Sequence, residues 1–200
     1  YMVEDPNTKS LVAYLESVKD GDKFSKIADR ALVLGKPIIV LKVGRSEIGQ
    51  KASASHTGSL TGSDEVFNAF VKQKGLIRVE DITDILDLAD LIEKTKLPEG
   101  NGLGIVTTSG GAGILVADRA SDLELEVCEL PEQTRKHISE YIPPFGSDIN
   151  PVDVTAQVIN NPEGFYKVLT EMLSVPNING LVIVVTMITG LAGEKMAQDI

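Results

Sequence analysis

An α/β fold with mostly parallel strands is what this sequence predicts, and three observations predict it. Strand-like apolar runs alternate with helix-like patterns from end to end. The run Ile-Ile-Val-Leu at residues 38–41 is continuously apolar, as a strand covered on both faces requires. The alternation is broken once, by the Pro- and Gly-bearing stretch Leu97-Pro-Glu-Gly-Asn-Gly102, and then restarts. Two tandem open sheet units follow from this, residues 1–97 and residues 98–200, each a small domain in size.

Along the first unit, residues 11–15 read as a strand. Phe24, Ile27, Ala28 and Ala31 then stand at helical spacing, and the helix closes at Gly35-Lys-Pro37 because proline cannot continue it. After the 38–41 strand, residues 44–63 are polar and Gly-rich, with Ile48 and Leu60 as their only large apolar residues. They read as a long loop leaving the carboxyl end of a central strand. Val66, Phe67, Phe70 and Val71 mark a helix ending near Gly75, and residues 76–79 a short strand. Asp81 opens another helix, with Ile82, Ile85, Leu86 and Ala89 as its expected buried face.

In the second unit residues 103–108 form a strand, a helix begins at Gly113, and residues 123–130 alternate as a strand should. A helix with Pro131 in its first turn follows. After the irregular segment 143–153 comes a helix with Phe165, Val168, Leu169 and Met172 on one face, and then a strand at residues 181–186. The chain opens on Tyr1 with no leader pattern, and residues 193–200 start a helix that nothing terminates, so it reads as a piece of a longer protein.

Composition narrows the function classes. With 42% hydrophobic and 24% charged residues the chain is globular rather than disordered, and no apolar run approaches the roughly 20 residues that span a bilayer. Nineteen Lys and Arg against 29 Asp and Glu leave a net charge of −10, which repels phosphate backbones and argues against a nucleic-acid partner. The single cysteine, Cys128, excludes an internal disulfide, has no second Cys or nearby His to share a metal with, and fits a reducing cytoplasm.

Open α/β sheets bind ligands beyond the carboxyl ends of their strands, which directs attention to the loops after Val43 and Thr108. The first presents His56 among small residues, in Ala54-Ser-His-Thr-Gly-Ser59. Either it is a presented nucleophile or an idle loop histidine. A nucleophilic imidazole needs an acceptor to fix its tautomer. Glu16, at the end of the first strand, is on the right sheet edge to supply one, although a charge there can also simply be solvated. The second loop, Ser109-Gly110-Gly111-Ala112-Gly113, runs from strand into helix, where free N–H groups and the helix dipole favour phosphate. It matches neither dinucleotide nor P-loop fingerprint, and a packing turn would look the same. His137, among charged helical residues, reads as surface.

Six blocks, in order, resemble the NDP-forming acyl-CoA synthetases, relatives of succinyl-CoA synthetase. They are Glu4-Asp-Pro, Glu16-Ser-Val-Lys-Asp-Gly21, Lys36-Pro-Ile-Ile-Val-Leu-Lys42-Val-Gly-Arg45, Ala54-Ser-His-Thr-Gly-Ser59-Leu-Thr-Gly-Ser-Asp64, Thr108-Ser-Gly-Gly-Ala-Gly113 and Asn150-Pro-Val-Asp153. The resemblance implies two flavodoxin-like succinyl-CoA synthetase-like domains. Residues 1–97 would be the phosphohistidine-bearing one, lacking a preceding strand and helix, and residues 98–200 a second ligase-CoA-like domain, cut at its far end. It also implies that His56 is phosphorylated, that Glu16 holds its ring, that Ser55, Thr57, Gly58 and Ser59 belong to the phosphohistidine loop, and that Ser109 to Gly113 face the phosphoryl group. The implied reaction converts acyl-CoA, phosphate and ADP to acid, CoA and ATP. CoA, ATP or ADP and Mg²⁺ would be bound mainly by a CoA-binding and an ATP-grasp module on the same chain or a partner subunit, in an oligomer. Two alternatives stand beside it: regulatory domains of a related lysine acetyltransferase, in which the histidine is often replaced, and a non-catalytic interaction domain.

Overall fold

The computed structural model describes residues 1–57 and 62–199; residues 58–61 and 200, and the side chains of His56, Thr57 and Asp199, lie outside the described residues. Two compact units make up the chain, residues 1–97 and residues 98–200.

The first unit runs β1 (Leu11–Leu15), α1 (Gly21–Val33), β2 (Ile38–Lys42), α2 (Glu47–Thr57), α3 (Asp64–Lys74), β3 (Ile77–Val79) and α4 (Ile82–Lys94). Its three strands pair in parallel in the order β1-β2-β3. Every residue of β2 is buried, because the pleat sends alternate side chains into two cores. Ile38 and Val40 meet Ala28 and Ala31 of α1 and Phe67 and Val71 of α3. Ile39 and Leu41 meet Ile85 of α4. Phe24 and Phe70 stack at 5.4 Å where α1 and α3 adjoin. Cap chemistry sets the helix ends. Asp20 and Ser63 accept from first-turn N–H groups of α1 and α3, and Gly75 ends α3 at φ 64°, a left-handed geometry that favours glycine.

Two expectations for this unit are corrected. Residues 44–63 are not one long loop, because residues 47–57 form α2, so that Ser55 and Thr57 sit in a helical last turn. Glu, Gln, Lys and Ala are good helix formers, and the Ser46 hydroxyl caps the helix by accepting from Gly49 N–H at 3.1 Å. None of its described side chains is fully buried, and the helix carries no apolar period to read. On α4, Ile82 and Leu86 are exposed, and the covered stripe is Ile85 with Leu88, Ala89 and Ile92, the i, i+3, i+4, i+7 set that faces the sheet.

The second unit runs β4 (Gly102–Thr107), α5 (Gly110–Asp122), β5 (Glu126–Val127), α6 (Glu132–Ser139), β6 (Val152–Asp153), α7 (Pro162–Leu173), β7 (Gly180–Val184) and α8 (Gly190–Asp199). All its strand pairs are parallel. β7 lines one edge of β4 from Leu103 to Thr107; β5 pairs at Gly102 and Leu103, and β6 at Val106 and Thr107. A strand has two edges, so β5 and β6 share the second one and leave a gap between them. The buried Asn150 side chain fills it: Oδ1 accepts from Ile105 N–H, and Nδ2 donates to the carbonyls of Leu103 and Cys128, each at 2.9 Å. Phe165, Val168, Leu169 and Met172 of α7 cover the sheet with Val106 and Val152, as their spacing predicts.

The expected strand at 123–130 shrinks to β5 because Leu123 caps α5 and Glu124 turns the chain at φ 58°. The helix expected from Gly113 begins one turn earlier, at Gly110. Gly113 itself packs so tightly that a methyl there would lie 2.9 Å from Thr107 Cγ2 and 3.1 Å from Pro151 Cβ.

Candidate functional site

In the first unit the carboxyl ends of the parallel strands open into a crevice of about 680 Å³. Parallel pairing brings the neighbouring strand ends together: Leu15 is level with Lys42, and Val43 N–H donates to Leu15 carbonyl at 2.9 Å. Glu16 follows immediately. One of its carboxylate oxygens accepts from Ser53 Oγ at 3.3 Å. Ser53 and His56 are three residues apart on α2, so they share a helical face one turn apart. Glu16 is therefore anchored against the turn that carries His56, while Gly58 and Ser59 fall outside the described residues.

Charged neighbours surround this edge. Asp64, the first residue of α3, accepts from Arg78 Nη2 at 2.8 and 2.9 Å, and Arg45 pairs with Glu80. Lys42, only 4% exposed, has no carboxylate within bonding reach among the described residues. Its ammonium makes one long bond, 3.4 Å to Val43 carbonyl, and lies 5.8 Å from the Phe67 ring centre, with Arg78 at 5.7 Å. Burial pushes its pKa below the ordinary lysine value; Asp64 opposes this, and Arg78 and Arg45 add to it. Sequence reading assigned Lys42 no role, although a charge closing an otherwise apolar buried strand was a visible signal.

In the second unit Ser109 stands at the N-cap of α5 without using its side chain as a cap. Instead its N–H donates to Thr107 Oγ1 at 3.0 Å, and Gly113 N–H returns to Ser109 carbonyl at 3.0 Å. The N–H groups of Gly110, Gly111 and Ala112 thus belong to the first turn, where no intrahelical acceptor exists. Neither Gly110 nor Gly111 has a left-handed backbone. A methyl on Gly110 would lie 3.0 Å from Asp153 Oδ2, whereas nothing stands within 4 Å of one on Gly111. Asp153 Oδ1 accepts from Thr155 N–H at 2.9 Å, so a fixed carboxylate flanks this helix start. An anion there would meet a like charge as well as N–H donors.

His137 Nδ1 lies 3.2 Å from Glu171 Oε1 and takes no part in either site. Cys128 is buried, and that burial, with Glu126 nearby, raises its pKa, as suits a packed thiol rather than a nucleophile. No helix among the described residues is long and apolar enough to cross a membrane.

Residues 1–92 match the model of the succinyl-CoA ligase-like flavodoxin domain, and residues 103–193 that of the Ligase-CoA domain. The chain is 38% identical over 194 residues to a protein of Nitrosopumilus maritimus named 4-hydroxybutyrate–CoA ligase (ADP-forming), covering 96% of this chain and 27% of that one. It is 35% identical to subunit alpha of acetate–CoA ligase (ADP-forming) I of Pyrococcus furiosus, covering 99% and 42%. Among solved structures, acetyl-coenzyme A synthetase 1 of Ca. Korarchaeum cryptofilum, in complex with phosphate and ADP, superposes at a TM-score of 0.82 with 32% identity, over 98% of this chain and 43% of that one. The chain thus spans less than half the length of these relatives. With these two domains matched in tandem, the chain belongs to the succinyl-CoA ligase-like family.

Proposed function

We propose that this chain is part of an ADP-forming acyl-CoA ligase and that His56 is its phosphoryl carrier. A phosphate oxygen attacks the thioester carbonyl and CoA thiolate leaves, giving an acyl phosphate. His56 then attacks phosphorus, the bond to the acyl oxygen breaks, and the free carboxylate departs. An oxygen of the ADP β-phosphate finally takes the phosphoryl group from the histidine. Splitting the transfer in this way replaces one difficult step by easier ones. The observation that carries the reading is the Glu16–Ser53 hydrogen bond, which fixes a carboxylate one helical turn from His56. In this reading Glu16 orients the ring and holds its charge as the nucleophile reacts.

Ser55, Thr57, Gly58 and Ser59 are assigned to the phosphohistidine loop, and within Ser109 to Gly113 the N–H groups of Gly110, Gly111 and Ala112 are the donors offered to phosphate, with Asp153 accepting a hydrogen bond from a phosphate hydroxyl. CoA, ADP or ATP and Mg²⁺ are assigned to CoA-binding and ATP-grasp modules beyond this chain. The names of the relatives and the phosphate and ADP in the Korarchaeum complex support this reading. Labelling the full-length protein with γ-labelled ATP should give an acid-labile, base-stable adduct at His56. Retained labelling and turnover in His56→Ala would sink the assignment. Glu16→Gln should lower turnover by about 10² while retaining some labelling, and an unchanged rate would remove Glu16 from the site.

A further inference from the structure

A second cavity, of about 200 Å³, opens where α1 and α3 adjoin at the carboxyl end of β2, lined by Val18, Phe24, Val66, Phe67, Phe70 and Lys42 with small residues between. Lys42 supplies its only charge among the described residues. An ammonium has three donors, and here one is used, at 3.4 Å, on the carbonyl of the next residue. Buried donors without partners are costly and rare in native proteins, so each demands an explanation. The carboxylate whose field reaches Lys42, Asp64, is already clasped by Arg78. Among the described residues, then, the cavity combines an apolar wall with a buried cation, shared with the larger crevice, that has no carboxylate within ion-pair distance.

The shape of the missing group follows from the lining. A phosphoryl dianion needs several donors, and one ammonium among aromatic rings would leave most of its oxygens unpaired. A carboxylate carries one charge and two oxygens, matching the two free donors, and an attached apolar chain would lie against Phe24, Phe67 and Phe70. The volume is below the roughly 300 Å³ at which pockets for drug-sized ligands begin, which limits that chain to a few carbons.

We propose that Lys42 and the apolar cavity it heads bind a short-chain carboxylic acid, with the ammonium on the carboxylate and the chain against the phenylalanines. That this acid is the one released in the reaction rests on the ligase reading above. The cavity touches Gly62 and Ser63, at the foot of α3, and Val18, two residues beyond Glu16.

Isothermal titration of the full-length protein with butyrate tests this. Wild type should bind saturably. Lys42→Met, which removes a charge-assisted contact, should weaken binding about tenfold or more. Val66→Trp should do the same by filling the cavity from a position that is 69% exposed and so tolerant of the larger side chain. Inorganic phosphate at equal concentration should not displace butyrate. Absence of saturable binding, unchanged affinity in either variant, or displacement by phosphate overturns the proposal. His56 labelling measured in parallel separates the two readings. Labelling without butyrate binding sinks the cavity assignment alone, and butyrate binding without labelling sinks the ligase reading alone.

Discussion

At the residue scale, the block Asn150-Pro-Val-Asp153 resolves into separate physical tasks. Asn150 bridges three backbone groups, Pro151 packs against Gly113, Val152 joins the core, and Asp153 flanks the start of α5. Asn150→Ala would orphan the Ile105 N–H and the Cys128 carbonyl, for a loss of about 2–4 kcal/mol in urea unfolding. Asn150→Asp keeps the acceptor but loses the donor and buries a charge, so it should be no better. The two glycines of α5 separate binding from packing. Gly110→Val would press on Asp153 and should impair phosphoryl transfer, whereas Gly111→Val has open space and should leave stability within about 1 kcal/mol apart from helix propensity. Equal kinetic and thermal effects of the two changes would show that the Asp153 contact is irrelevant. None of this division of labour was legible in the sequence, because it depends on side chains meeting backbone more than 20 residues away. The identity of the block was visible, but its tasks were not.

At the level of elements, what could be read was whatever carried an apolar period. β2, α7 and the closing glycine of α3 fall where residue pattern alone puts them, because each packs against a core or needs a left-handed turn. α2 was invisible for the opposite reason: its exposed Ala, Ser and Lys residues satisfy a helix without a buried face, so residue pattern alone puts the candidate histidine on a loop. Caps, by contrast, are local and legible. Asp81 opens α4 by accepting from the Thr83 N–H and hydroxyl, and Asp84 Oδ2 accepts in turn from Asp81 N–H. The bonds from Thr83 hold the Asp81 carboxyl below its ordinary pKa. A folded-state value below the unfolded one means that the cap stabilises fully above about pH 4 and is lost as pH falls through the lowered value. Asp81→Ala should therefore lower Tm at pH 7, and the gap to wild type should close in acid. A gap independent of pH would mean that the carboxylate contributes nothing through its charge.

On the scale of the whole molecule, each half has its own sheet and its own cores. We expect residues 1–97 and residues 98–200, produced separately, each to give one cooperative thermal transition; loss of a transition from either piece would mean that it depends on the other for stability. Val12 and Tyr14 of β1 remain exposed in the first unit, on the face where Ile39 and Leu41 are covered by α4. Apolar side chains on an edge strand invite association. Light scattering should show concentration-dependent assembly that Val12→Lys reduces. The all-parallel pairing of both sheets also acts on the ribosome. β1 is level with β2 only 27 residues later, from Leu11 to Ile38, but Leu103 of β4 must wait for Gly180, 77 residues downstream. At about 5–20 residues per second, that is roughly 4–15 s in which a strand as apolar as Ile105 and Val106 has emerged and its long partner has not. The first unit can close during synthesis while the second is still half made. The hazardous interval in the life of this protein thus lies between the making of β4 and β7, and slowing translation within residues 108–180 should lengthen it and raise the insoluble fraction.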